Sequence, residues 1–532
     1  MRNLDALLRA LRNEGIHLWV EDGQLHYRSR AGRLPAQTAE QIRARRDEIV
    51  DLLANQPRST PAEFVNEWQT PYEGGTSCLQ AHMLAYYDQL KRPEFLHPSC
   101  TWSWAGPIDL NILQQSLNVL ISRHAALRCR FPASDGANHR MIVDDSVAIT
   151  IESHDLRALP DPTQDMEARR TTHGIIGRQF DVRTGPLLRV AVVNLRPCLS
   201  VLVLVFHHAI MDGMSLAIFF NELMASYTCL RSGSRQPLRR LPIDLMEVMR
   251  DKCEWLTSAA AAKQAAYWRE TFKDADNPFW LPHDRSCADH PEPADAGPLA
   301  VSLSQSTTCA VAAICHQEHI TLVVALLTAF ALAIAQWTKC PEVCMWVLNH
   351  GRHKAEYYGL IGCFIDTWVL RTNLARAPDF RESLRSVAAA YAKAQPNIQI
   401  PSQIVARTLE SERGAPLERA TLFNYVGAGT FQPAGKRADV GTGHIAEPEF
   451  QITPLNWSPQ QGHLETSNGT QLIITIGEHV DTVSWTLQFD PAVFERATVS
   501  TLSETALRLL ESAAAQSGGP IAAPAGSGAS SR

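Results

Sequence analysis

The stretch Val201-Leu202-Val203-Leu204-Val205-Phe206-His207-His208-Ala209-Ile210-Met211-Asp212-Gly213 decides how the chain is read. Its first six residues are all aliphatic or aromatic, and an amphipathic pattern (Leu216, Ile218, Phe219, Leu223) opens after Gly213. The motif therefore falls on a loop between a buried strand and a helix. Rigid elements on both sides let such a loop aim an imidazole into a cleft. Histidine titrates unperturbed near neutral pH, which places His208 as a base or a proton-positioning group. Asp212 supplies a carboxylate that ties the loop down, and Gly213 a backbone that a substrate approaches closely. A single histidine on an apolar strand reads more simply as a satisfied core residue; the doublet with Asp and Gly at fixed offsets reverses that preference. The two histidines are adjacent and point to opposite faces of a strand, so they form no metal-ligand pattern.

Beyond this loop, 532 residues exceed what one hydrophobic core usually serves, and two or three domains are expected. Hydrophobic residues at 45% and charged residues at 20% are ordinary globular values. A net charge of -6 with scattered basic residues disfavours a nucleic-acid partner. The 12 cysteines include no CxxC pair and read as reduced thiols of a cytosolic protein. No secretory signal opens the chain, and the longest mostly apolar run, Leu322 to Ala335, is too short to span a bilayer. A cytoplasmic protein with no membrane partner is expected.

The first sixty residues read as a separate unit. Leu4, Leu7, Leu8 and Leu11 recur at helical spacing, and Ile16 to Val20 and Gln24 to Arg28 form a hairpin signal joined through Glu21-Asp22-Gly23. A second helix follows Pro35. A polar segment with two prolines, Asn55 to Pro61, then leads into a chain of alternating helical and strand patterns. Helices are expected at Asp109 to His124, Gly213 to Leu230, Ala259 to Phe272, Thr308 to Gln317, Thr321 to Trp337 and Pro491 to Ser512. Strands are expected within Met141 to Ser153, then at Leu187 to Asn194, Leu199 to Phe206, Cys344 to Leu348, Leu472 to Ile476 and Ser484 to Phe489. From Gln516 the chain is Gly, Ala, Ser and Pro, the composition of a disordered tail.

Four motifs occur in a fixed order: Ser77-Cys78-Leu79-Gln80, then Ser122-Arg123-His124-Ala125-Ala126-Leu127-Arg128-Cys129-Arg130-Phe131, then HHxxxDG at 207–213, then Gly351-Arg352 with Gly359-Leu360-Ile361-Gly362-Cys363-Phe364-Ile365-Asp366-Thr367. Together they resemble the condensation domains of non-ribosomal peptide synthetases, which share the chloramphenicol acetyltransferase fold. Ala125 stands where the family's RHExLRTxF motif has Glu, and Asp366 where IGxFVNT has Asn. The resemblance implies an α+β fold with two acetyltransferase-like lobes forming a V, at residues 75–245 and 246–515, and a disordered tail at 516–532. Ahead of them, Leu18-Trp19-Val20 and Leu25-His26-Tyr27-Arg28 in a helix, hairpin, helix order are similar to TubC-type β-hairpin docking domains. That sets a docking unit at 1–56 and a linker at 57–74.

In this family an acyl group arrives as a thioester on the phosphopantetheine arm of a carrier protein, and this chain is expected to bind no cofactor of its own. The resemblance assigns His208 as general base or orienting group, the Gly213 backbone N–H as oxyanion donor, and His207 and Asp212 as structural residues. Asp212 is expected to pair with an arginine of the RHxxLR motif, Arg128 first and Arg123 second. Ser215 is expected to cap the helix and to take no part in a Ser-His-Asp triad. The docking unit implies an upstream carrier protein captured through its C-terminal short linear motif, with Trp19, Tyr27, Arg28, Arg30 and Arg33 at the interface; a free hairpin edge suits strand addition, and arginines suit acidic residues. No adenylation or carrier domain follows, so a free-standing protein is expected that releases an acyl chain onto a small-molecule acceptor. This arrangement is similar to the chain-release condensation proteins of enacyloxin-type assembly lines.

Three other readings remain. His350-Gly351-Arg352 and Phe423-Asn424-Tyr425-Val426-Gly427 resemble segments of epimerisation domains, but Leu348 stands where those relatives carry a glutamate, and an aliphatic side chain moves no proton. A non-catalytic scaffold would gather its partners without needing His208. An HxxxD acyl-CoA transferase would carry a DFGWG motif, which is absent from the sequence. The DxxxxD motif of cyclising relatives is replaced by the histidine pair.

Overall fold

The computed structural model describes residues 16–21, 24–29, 36–54, 75–88, 90, 92–133, 140–234, 238–273, 279–285, 297–375, 379–413, 419–427, 450–455, 457, 470–479 and 482–516. Near the N-terminus, β1 (Ile16–Glu21) and β2 (Gln24–Ser29) pair antiparallel, with Leu18 opposite Tyr27 and Trp19 opposite His26. The expected second helix is broken at Arg45 into α1 (Ala36–Ala44) and α2 (Arg46–Ala54). Leu18, Ile42 and Ile49 are buried, the minimal core that so short a unit needs. The helix expected from Leu4 lies outside the described residues.

Two mixed sheets organise the rest. The first contains β3 (Ser99–Ala105), β6 (Glu152–Asp155), β7 (Leu188–Arg196) and β8 (Leu199–Phe206); the short pair β4 (Cys129–Arg130) and β5 (Ile142–Val143) lies apart. The second contains β9 (Leu299–Ser302), β10 (Glu342–Asn349), β11 (Asp366–Asn373), β12 (Arg419–Val426), β14 (Thr470–Glu478) and β15 (Val483–Phe489), in the order β11-β10-β12-β14-β15-β9. A strand from late in the chain, β13 (Gln451–Leu455), pairs antiparallel with β3 and completes the first sheet as β13-β3-β8-β7-β6. The sheet of the first half is thus finished by chain from the second.

Strand β8 occupies the middle of its sheet, and seven of its eight residues are buried, which is why it reads as a continuous apolar run. Strands β14 and β15 alternate buried and part-buried residues, the signature of a sheet covered more fully on one face. Helices α3 (Cys78–Tyr87), α4 (Leu110–Arg123), α5 (Asp161–Gly177) and α6 (Gly213–Arg231) belong to the first half. Helices α7 (Leu245–Leu256), α8 (Ala259–Phe272), α9 (Gln305–Gln317), α10 (Leu322–Thr338), α11 (Phe380–Ala394), α12 (Ser402–Arg413) and α13 (Arg496–Gln516) belong to the second. The apolar run Leu322 to Ala335 forms most of α10 and is largely buried against the second sheet's core. Among the described residues no single helix is long and apolar enough to cross a membrane.

Candidate active site

Strand β8 ends at Phe206 and the chain turns through a short 3-10 segment, His208–Ile210, before α6 begins at Gly213. The turn is fixed from several sides. The His207 N–H donates to the Leu187 carbonyl at 2.9 Å, and the His207 Nδ1 accepts from the Ala209 N–H at 3.0 Å. Gln80 closes a capping box with Ser77 at the start of α3, and its side-chain amide donates to the Ala209 carbonyl at 2.7 Å. The Ser77–Gln80 motif thereby acts as a clamp on the histidine loop.

His207 is fully buried, with its ring edge-on to Tyr87 at 4.4 Å between centroids. Burial, with His97 and His208 close by, holds its pKa well below the usual histidine value, so it stays neutral. Behind it, the His97 Nδ1 lies 2.7 Å from the Ile176 carbonyl and therefore carries the proton. Nε2 then accepts from the Tyr87 hydroxyl at 2.7 Å, and burial pulls the His97 pKa down to about 4. A packed, uncharged layer thus backs the loop. His208 is part-exposed. Burial lowers its pKa, while backbone groups and the Asp212 carboxylate oppose that shift. A neutral imidazole at physiological pH is able to accept a proton.

Asp212 is fully buried and N-caps α6, its Oδ1 accepting from the Ser215 N–H at 2.8 Å. Its partner is Arg352. Nη1 donates to Asp212 Oδ2 at 2.8 Å and Nη2 to Oδ1 at 3.0 Å, a two-pronged bond between side chains both fully buried. The Phe364 N–H adds a hydrogen bond to Oδ2 at 2.9 Å. The carboxylate therefore fastens the histidine loop of the first half to the Gly351–Phe364 segment of the second. Gly351 makes the approach possible: its φ is +61°, and a Cβ there would lie 1.7 Å from the Phe364 carbonyl oxygen.

Three expectations are corrected by this geometry. Arg128 does not pair with Asp212; its guanidinium donates to the backbone carbonyls of Ile121 and Asp144. Arg123 is taken by Glu222 at 3.0 Å, an acid shared with the buried His124 at 2.8 Å. The RHxxLR turn therefore spends its charges locally, and Arg352 holds the aspartate. Ser215 is not a cap: its hydroxyl donates to the Gly362 carbonyl at 2.8 Å and accepts from the Gly362 N–H at 3.0 Å and Arg352 Nη2 at 2.8 Å. With its proton engaged by a carbonyl, it stitches the two halves.

Gly213 is exposed, with open space where a Cβ would stand, and as the first residue of α6 its N–H is free of intrahelical bonding. A cavity of about 640 Å³ opens nearby between the RHxxLR turn and the 238–247 segment; Arg123, Arg128, Arg240 and Ile361 line it, and His208 does not. Of the docking residues, Trp19, Tyr27 and Arg28 are fixed by backbone register only, and Arg30 and Arg33 lie outside the described residues. Sequence reading missed both the clamp at Gln80 and the role of Arg352, though each residue sat inside a quoted motif. An arginine directly after Gly351, in the same motif as Gly359-Leu360-Ile361-Gly362, was the available signal.

The condensation-domain family model matches residues 77–524, and the TubC N-terminal docking domain model matches residues 4–55. The chain belongs to the condensation-domain family and carries a docking domain of the TubC N-terminal type. It is 27% identical to the chondramide synthase of Chondromyces crocatus over 405 residues, 75% of this chain and 10% of that protein. To the phosphinothricin tripeptide synthetase PhsC of Streptomyces viridochromogenes it is 27% identical over 448 residues, 83% of this chain and 39% of that protein. The chain thus spans well under half the length of these relatives.

Among solved structures, the epimerization domain from the third module of tyrocidine synthetase B matches with a TM-score of 0.66 at 17% identity, covering 83% of this chain and 96% of that one. The structure titled for condensation domain-mediated chain release from the enacyloxin polyketide synthase matches with a TM-score of 0.61 at 21% identity, covering 98% of this chain and 96% of that one. These likenesses establish the fold, which is the expected mixed α+β architecture.

Proposed function

We propose that this protein is an acyltransferase that moves an acyl group from the phosphopantetheine thioester of a carrier protein to an amine or hydroxyl acceptor, releasing the chain as an amide or ester. The observation that carries the reading is the part-exposed, neutral His208 on a loop anchored through Leu187, Gln80 and Arg352. His208 takes or orients the proton of the acceptor as its nucleophile attacks the thioester carbonyl. The Gly213 N–H, at the positive end of α6, meets the oxygen that gains charge, and collapse of the adduct breaks the C–S bond and returns the proton to the thiol. Holding both substrates in register supplies much of the acceleration. The phosphopantetheine arm belongs to the carrier.

In this reading residues 1–56 dock the C-terminal motif of an upstream carrier protein, 57–74 link, and 75–245 and 246–515 form the two lobes. The β1–β2 hairpin offers a strand edge for that peptide, and Arg28, Arg30 and Arg33 supply the charges that would pair its acidic residues. Epimerisation is disfavoured by Leu348, near the end of β10, in place of an acid.

The test is to load candidate carriers with an acyl thioester, add a panel of amines and alcohols, and follow product by intact-mass spectrometry. Wild type is expected to form product, and His208→Ala to lose turnover roughly a hundredfold or more. Removing residues 1–56 is expected to raise the carrier concentration required while small thioester mimics still turn over. Undiminished product from His208→Ala would establish the scaffold instead.

A further inference from the structure

The cavity of about 640 Å³ between the RHxxLR turn and the 238–247 segment takes no part in the chemistry proposed above. Val119, Leu241, Ile243, Leu245 and Ile361 give it apolar walls, and Arg123, Arg128 and Arg240 stand among them. Its size falls within the range of about 300–1,000 Å³ that seats a ligand. The acids around it are already engaged. Asp244 and Glu247 close the capping box that starts α7, each carboxylate accepting from the other's backbone N–H at 2.8 Å. Glu222, behind Arg123, is shared by that arginine and His124. Among the described residues Arg128 gives Nε and Nη1 to backbone carbonyls, and the exposed Arg240 bonds nothing. Both arginines keep N–H donors for an acidic occupant.

The chain itself leads to this cavity. Gly75 has φ +81°, and a Cβ there would stand 3.2 Å from Met246 Cε and 3.4 Å from Met141 Cβ. Met246 sits between Leu245 and Glu247 of the cavity wall and is one of the few large apolar side chains left exposed. The segment that ends at Gly75 therefore arrives beside the cavity, though it lies outside the described residues itself. Residues 59–74 carry Phe64, Val65, Trp68 and Tyr72, with Glu63, Glu67 and Glu73 interspersed and no lysine or arginine. An extended chain advances at most about 3.6 Å per residue, which keeps Trp68 within about 25 Å of Gly75. Other segments outside the described residues match less well. Residues 286–296 hold Asp289, Glu292 and Asp295 but no aromatic side chain, and 428–449 carry Lys436 and Arg437.

We propose that residues 59–74 dock in this cavity within the same chain, Phe64 and Trp68 filling its apolar walls while Glu63 and Glu67 pair Arg128 and Arg240. The connection between residues 1–56 and the lobes is then seated over most of its length. A partner captured by residues 1–56 is held close to the RHxxLR turn, at a higher effective concentration than an unseated linker of the same length gives. This seating is independent of the acyl-transfer chemistry, and its failure leaves that chemistry untouched.

The test places photoreactive p-benzoylphenylalanine at position 68 of the full chain, irradiates the protein and identifies linked peptides by mass spectrometry. A link within one chain to 119–128, 238–247 or 360–361 is expected. Arg240→Glu is expected to cut the yield of that link at least fivefold, and Glu67→Arg in the same chain to restore at least half of it. Ala125→Glu, at the RHxxLR wall, is expected to act as Arg240→Glu does, and it stands in for that variant if thermal midpoints show misfolding. In hydrogen exchange, the amides of 63–70 are expected to exchange at least tenfold more slowly than in a free peptide of residues 59–74. Links to other parts of the chain, links found only between two copies, a yield unmoved by either substitution, or exchange at the free-peptide rate overturns the seating.

Discussion

Arg128 and Arg352 both stand in sequence motifs at the edge of the site, and they spend their charge in opposite ways. Arg128 is part-exposed and bonds backbone carbonyls within its own half of the molecule, at Ile121, Asp144 and Asp145. Arg352 is buried and reaches across to Asp212 and Ser215, while within its own half it bonds the Leu360 carbonyl at 3.3 Å and lies 4.5 Å from the centre of the Phe364 ring. The first finishes a turn. The second sets the position of the histidine loop relative to the other half, because the carboxylate it holds lies four residues from His208.

The largest effect is expected at that pair. Arg352→Met leaves a buried carboxylate without its counter-charge, a loss of about 3–5 kcal/mol in chemical denaturation. Adding Asp212→Leu should return much of it, since a matched apolar pair carries no stranded charge. If Arg352→Met costs under about 1 kcal/mol, the two halves are not fastened there. Ser215→Ala comes next. It removes a hydroxyl that serves the Gly362 N–H, the Gly362 carbonyl and Arg352 at once, and leaves those buried groups wanting, about 2–3 kcal/mol.

These contacts also mark where the sequence was legible. Strand β8, helix α6 and the loop between them follow directly from an apolar run and the 3.6-residue periodicity that opens after Gly213, and their observed bounds differ from the expected ones by at most one residue. Helix α8 falls on its expected span, Ala259–Phe272. Helix α5 is hard to read from sequence because polar and charged residues fill most of it and only Met166, Ala168, Ile175 and Ile176 are apolar. Strand β13 was invisible for a different reason: five residues with a proline have no pattern of their own, and pairing with β3 is what makes them a strand. The site divides in the same way. Local chemistry located His208 and Asp212, whereas the identity of the arginine that meets Asp212 depends on how residues 140 positions apart pack, which no local spacing encodes.

The smallest effect is expected at Arg128, and it discriminates most cleanly between the two arginines. Arg128→Met removes donors from carbonyls in a part-exposed turn, and water replaces most of them, so the cost should be about 1 kcal/mol. No carboxylate is stranded, because Asp144 keeps Arg130 at 3.0 Å. A loss as large as that of Arg352→Met would instead mean that the RHxxLR arginine engages Asp212 in solution. Measured together in denaturant, the two variants separate a turn-finishing arginine from a fastening one by the difference in their midpoints alone, provided the slopes agree.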